Sequence, residues 1–128
     1  MTRRVIQTDN APAAIGAYSQ AVVAGDTLYV SGQIPLVPAT MEIDDGDIGA
    51  KIRRVFAHVQ AITEAGGARL DQVIKLNVYL TDLAHFPVVN EVLAEYFEEP
   101  YPARAVVGVA ALPKGVPVEV DAIVSLSD

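Results

Sequence analysis

The sequence predicts an α+β fold: a mixed β-sheet with two helices on one face. Three observations predict it. Apolar residues recur at helical spacing in two stretches, from Ile48 to Ile62 and from Val88 to Phe97. Short apolar runs bounded by Gly and Pro precede, separate and follow those stretches. The helices are joined to neighbouring strands by short connections, so each crosses over and packs against the sheet. The expected order is β-β-β-α-β-α-β-β, within a single domain spanning residues 1–128.

The elements follow in order. Arg4 to Thr8 reads as a short strand, and Asn10 to Gln20, rich in Ala, Pro and Gly, as a loop. Ala21–Ala24 and Thr27–Ser31 flank Gly25-Asp26, a two-residue hairpin signal. The second of these strands ends at or just past Gly32, because Pro35 and Pro38 do not fit a central strand. In the first helix Ile48, Ile52, Val55, Phe56, Val59 and Ile62 make the buried stripe; Asp45 or Asp47 caps its start and Gly66-Gly67 stops it. Asp71 to Leu80 is a strand, with Ile74, Leu76, Val78 and Leu80 on one face and Val73, Lys75, Asn77 and Tyr79 on the other. The second helix has Pro87 in its first turn and a stripe of Val88, Val89, Val92, Leu93, Tyr96 and Phe97. Tyr101 to Leu126 gives two final strands around Leu-Pro-Lys-Gly, expected to pair through that turn.

Two helices cover one side of such a sheet, yet its strands are apolar on both sides. A second sheet or another subunit is expected on the bare face. The composition agrees: 52% of the 128 residues are hydrophobic, a high share for a small monomer.

Other classes are disfavoured. The chain has no cysteine, which excludes disulfides, a thiol nucleophile and zinc-thiolate sites. Its net charge of −7 removes the basic driving force for nonspecific nucleic-acid binding. Lys51-Ile52-Arg53-Arg54 is a local cationic cluster, read as a solvated helix face. The opening MTRRVIQTDNAP has no apolar run behind its arginines, so no targeting signal is expected. No apolar segment reaches the roughly 18 residues needed to span a membrane, and a cytoplasmic location is the default expectation.

The chemistry concentrates in the last two strands. Arg104, Glu119 and Asp121 are ionised groups inside the most apolar segment, where charges need a partner or a function. Alternation puts Glu119 and Asp121 on one face; paired strands would put Arg104 beside them. A salt bridge at a subunit contact is one reading. An anion site is the other: the planar guanidinium fork suits a carboxylate, and a carboxylate can take a proton from water. His58 and His85 are isolated and read as structural. Ser31-Gly32 is no nucleophile elbow, and the glycine pairs form no phosphate loop. Tyr18, on the Gly-rich loop, is a pocket-lining or loop-stapling candidate.

Five stretches together, APAAIGAYSQA, YVSGQIP, NVYLTDLAHFPVVNEV, YPARAVV and ALPKGVPVEVDAI, resemble the RidA family, also called YjgF-type or reactive intermediate/imine deaminases, from about Ile6 to Val124. The resemblance implies a chorismate-mutase-like fold in a homotrimer, with sheets forming a barrel-like centre and sites between subunits. It implies hydrolysis of 2-aminoacrylate-derived enamines and imines to 2-oxo acids and ammonia, with no cofactor and no metal. Residue by residue, Arg104 matches the arginine that grips the substrate carboxylate. Glu119 matches the glutamate near the attacking water. Tyr18, Ser31, Gly32, Asn90 and Val106 match substrate-binding positions, Gly32 and Val106 through their backbone. Two departures stand out: Val106 replaces a frequent cysteine, and Ala17 replaces the proline of GPYSQ. Asp121 is assigned to structural pairing. The competing functions are a noncatalytic small-molecule-binding module, an RNA-directed ribonuclease or translation inhibitor, and a trimeric enzyme for a larger catabolite.

Overall fold

The computed structural model describes residues 2–127. It contains one six-stranded mixed sheet and two helices. The strands are β1 (Arg3–Ile6), β2 (Ala21–Ala24), β3 (Thr27–Gln33), β4 (Val73–Leu80), β5 (Ala103–Gly108) and β6 (Val118–Ser125), in the spatial order β1-β2-β3-β6-β4-β5. Every pair is antiparallel except β4 with β5. The helices are α1 (Ile48–Ala65) and α2 (Phe86–Tyr96).

Local chemistry sets most boundaries. Gly25, at φ 60, makes the β2–β3 turn. The Asp47 carboxylate accepts from the Ala50 N–H, which selects Asp47 over Asp45 as the cap of α1. Gly67, at φ 89, takes the chain away from its C-terminal end. Pro87 occupies the first turn of α2, where its missing N–H costs nothing. The β1 strand lies one to two residues earlier than the sequence suggests, because Gln20 captures the Thr8 backbone through both its N–H and its carbonyl.

The core lies between the helices and one face of the sheet. Phe56, Ile52, Val55, Val59 and Ile62 of α1 and Val89 and Val92 of α2 are fully buried against Leu28, Leu76, Val78, Leu80 and the alternating valines of β6. Removing the Phe56 ring alone is expected to cost about 3–5 kcal/mol. Two strand expectations are corrected. The register of β4 against β6 shifts between Val73 and Lys75, so Val73 joins the core and Ile74 turns to solvent. The last two strands do not pair: β4 inserts between them, and β5 runs parallel to β4 at the sheet edge.

Among the described residues, no helix covers the other face of the sheet. One row crosses all six strands in register: Val5, Val22, Tyr29, Ile123, Lys75 and Ala103. Val5 and Tyr29 remain about half exposed. Among the described residues, no helix is long and apolar enough to cross a membrane.

Candidate active site

Arg104 sits in β5 opposite Leu76 of β4, and so points to the helix side of the sheet. Its Nη1 donates to Asn90 Oδ1 at 2.6 Å, and its guanidinium carbon lies 5.2 Å from the centroid of the Phe86 ring. Asn90 and Phe86 are one turn apart on α2, at the i,i+4 spacing that puts side chains on one face. Helix and strand together hold the fork by one hydrogen bond and one ring contact, leaving other N–H groups for a ligand. Leu76, Leu93, Tyr101 and Pro102 complete a cavity of about 410 Å³ around it. Val106, two residues on, faces the same side and packs against the core, so the departure from cysteine is accommodated as ordinary apolar packing.

Glu119 lies on the other side. It alternates with the fully buried Val118 and Val120, which point to the helices, so its own side chain faces away from them. A second cavity, about 390 Å³, gathers Glu119 with Tyr18, Ser31, Gly32, Ile34 and Lys114. A β-carbon on Gly32 would fall 1.9 Å from Glu119 Oε2, so the carboxylate can occupy this place only over glycine. Burial, and secondly the charge of Asp121, raise the Glu119 carboxyl above its ordinary value. Such a group accepts a proton more readily than an exposed carboxylate.

The loop that lines this cavity through Pro12, Ala13, Ile15 and Tyr18 is tied down by Gln20, a buried residue that the sequence reading passed over. Its amide binds Thr8 N and O and Pro12 O, which ties the Gly-rich loop down. Ser31 does the same from β3, donating from Oγ to Ser19 O at 2.6 Å. Ser31 is thus occupied in holding the loop that carries Tyr18. Tyr18 is half exposed at the cavity rim, with Gly16 against its ring.

The site residues therefore fall into two groups on opposite faces. Arg104, Asn90 and Val106 share the helix side; Glu119, Tyr18, Ser31 and Gly32 share the open side. This corrects the expectation that Arg104 and the two acids share a face. The physical reason is topological: with β4 between β5 and β6, no hairpin sets the phase of Arg104 against Glu119. Within the chain, Arg104 makes no ion pair with either acid. Asp121 instead accepts from Asn77 Nδ2 at 2.8 Å and Tyr79 Oη at 2.9 Å.

The remaining candidates take structural places. His58 is buried in α1 and donates from Nε2 to Leu36 O at 2.7 Å, fastening the β3–α1 connection. His85 precedes α2 without a side-chain cap bond. The cationic cluster is engaged within the chain: Arg53 with Glu95, Arg54 with Asp44 at 2.5 Å, and Lys51 with Gly46 O. Among the described residues no three His, Asp or Glu side chains come together as a metal-binding group. Phe86, whose ring faces the guanidinium, is a further residue that sequence reasoning missed; its place one turn before Asn90 on a helix was the available signal.

Comparison with known proteins gives one answer. The family model described as Endoribonuclease L-PSP matches residues 8–126. The RutC family protein PH0854 of Pyrococcus horikoshii is 51% identical, over 94% of this chain and 96% of that protein. A 2-iminobutanoate/2-iminopropanoate deaminase of Dermatophagoides farinae is 43% identical, over 95% of each. The crystal structure of RidA from an Antarctic Psychrobacter superposes with a TM-score of 0.91 at 53% identity, covering 95% of this chain and 98% of that one. With a family model that spans residues 8–126 and a fold shared with a RidA crystal structure at 53% identity, this protein belongs to the RidA (YjgF) family, whose model carries the Endoribonuclease L-PSP description.

Proposed function

We propose that this protein hydrolyses 2-imino acids, and their enamine tautomers, to 2-oxo acids and ammonia. The observation that carries the reading is that, within one chain, Arg104 and Glu119 line separate cavities and form no ion pair with each other. One is a fork poised for a carboxylate; the other is a carboxylate with raised proton affinity. A small imino acid needs both: an anchor for its anionic end and a base for the water that attacks its C=N carbon. The deaminase name of a relative 43% identical to this chain supports the same chemistry.

Arg104 holds the substrate carboxylate and so orients the C=N carbon. Glu119 takes a proton from water as the oxygen bonds to that carbon, and the C=N π electrons move to nitrogen. Glu119 returns that proton to nitrogen, and the hydroxyl proton of the resulting carbinolamine passes by way of the same carboxylate to nitrogen as ammonia leaves and the C=O bond forms. No group outside substrate, water and these residues is required by this balance.

The separation of Arg104 from Glu119 across the sheet supports sites built between copies, one supplying the arginine side and its neighbour the glutamate side. A homotrimer closing its open sheet faces on one another is the assembly we propose, and the apolar row through Val22, Tyr29 and Ile123 supports it. An RNA-directed role finds less support, since Arg53 and Arg54 are paired within the chain and the net charge is −7.

The test is a coupled assay in which an amino-acid oxidase or dehydratase generates 2-iminobutanoate and 2-oxobutanoate formation is followed. Faster formation with the protein present is expected. A rate equal to spontaneous hydrolysis, with the 2-oxo acid still bound in an Arg104-dependent way, would replace the enzyme with a binding module.

A further inference from the structure

Two carboxylates stand side by side on the open face, and the fold treats them differently. Glu119 and Asp121 are two residues apart on β6 and so point the same way. Asp121 has both oxygens occupied: Asn77 Nδ2 donates to Oδ1 and Tyr79 Oη to Oδ2. Both donors come from β4, where Asn77 is the register partner of Asp121 and Tyr79 that of Glu119. Tyr79 thus stands across from Glu119 but gives its hydroxyl to Asp121. Among the described residues, no hydrogen-bond donor or cation is paired with the Glu119 carboxylate.

The type of donor matters. An arginine or lysine on Asp121 would cancel its charge. An amide and a phenol donate hydrogen bonds to it without adding a positive charge. The arrangement is therefore a fixed, uncancelled anion one residue pair away from the acid proposed to act on water.

We propose that Asp121, tethered by Asn77 and Tyr79, is a positioning residue for Glu119: it occupies both nearby donors and, as a fixed charge, turns the Glu119 carboxylate toward Gly32 and toward water. The proposal rests on Glu119 being the base of the reaction above. The groups facing Glu119 fit it. Asp121 is the neighbouring acid on β6 and Tyr79 the neighbouring phenol on β4; Tyr18 and Lys114 line the same cavity from the loop and from the β5–β6 connection. The Tyr79 hydroxyl is raised above its ordinary value, by burial first and then by its bond to Asp121, so it remains a donor throughout neutral pH. The raised Glu119 carboxyl has the charge of Asp121 as its second cause, after burial. Without Asp121, Glu119 is a weaker base with two competing donors beside it.

The test reads Glu119 directly and through turnover. Carboxyl ¹³C resonances of the glutamates are titrated by NMR, with Glu119 assigned from Glu119→Gln, in the intact protein and in Asp121→Asn and Asp121→Glu. The midpoint of Glu119 is expected to fall in Asp121→Asn and to be retained in Asp121→Glu, which keeps the charge. The pH profile of kcat/KM on 2-iminobutanoate generated in situ is expected to follow, its acid limb moving to lower pH in Asp121→Asn, with kcat reduced and KM little changed. An unmoved Glu119 midpoint in a folded Asp121→Asn protein overturns the proposal. Should that variant fail to fold, Asp121→Ser, which keeps a hydroxyl toward the donors, decides by the same midpoint. A midpoint that falls in a protein showing no imine hydrolysis even as wild type supports the tether and overturns the deaminase reading instead.

Discussion

The Glu119 carboxylate lies directly over Gly32: a β-carbon there would stand 1.9 Å from Oε2. Two residues from neighbouring strands thus fix one geometry, and either alone can abolish it. Gly32→Ala should push Glu119 aside while leaving the sheet intact, because the displaced atoms are the far end of a flexible side chain. Imine hydrolysis should drop as far as in Glu119→Gln, where loss of general-base help is worth roughly 10²–10⁴-fold. The coupled assay with a melting curve on the same sample checks it; full activity in Gly32→Ala would remove the Glu119 position from the mechanism.

Arg104 is held by Asn90 and faces the Phe86 ring, so its replacements should grade by geometry. Arg104→Ala should abolish deamination in a folded protein of unchanged mass. Arg104→Lys should also be poor, since an ammonium cannot reproduce the planar fork. Phe86→Leu removes only the ring contact, worth about 0.5–1 kcal/mol at an exposed site, and should lower kcat/KM about two- to fivefold. Steady-state kinetics on the three variants gives the order; equal activity in Arg104→Lys and wild type would contradict it.

The bare sheet face predicts assembly. Ile123→Lys places a charge in the middle of the apolar row, beside Tyr29 and against Lys75 in register. Sedimentation equilibrium should show a trimer for the wild type and monomers for the variant, with activity lost alongside, since each proposed site needs two copies. A wild-type monomer at micromolar concentration would refute both the assembly and the shared site.

His58 gives stability a pH dependence. Burial depresses it below its ordinary 6.5, the bond to Leu36 O opposing this only in part. The unfolded chain binds the proton more readily than the folded one. The contribution of the neutral imidazole is therefore fully present above pH 6.5 and lost as pH falls through the depressed folded value. Denaturant midpoints from pH 7.5 down to 5 should decline, and His58→Gln should flatten that part of the decline.

Periodicity and punctuation alone settled which segments are helices and strands here. Apolar spacing from Ile48 to Ile62, the Asp47 cap, the Gly25 turn and Pro87 are local signals, because each depends on a few neighbouring backbone torsions and hydrogen bonds. The β-strand alternation likewise placed Glu119 and Asp121 on one face, which needs only the two-residue period. What the sequence could not carry was the order of strands in space. The insertion of β4 between β5 and β6 is a long-range choice, made where the valines of β6 and the apolar residues of β4 meet the helices in one core. That choice sent Arg104 to the helix side and left Glu119 on the open side. It also gave Asp121 to Asn77 and Tyr79, partners more than forty residues away in the chain, whose contact exists only once the two strands are in register.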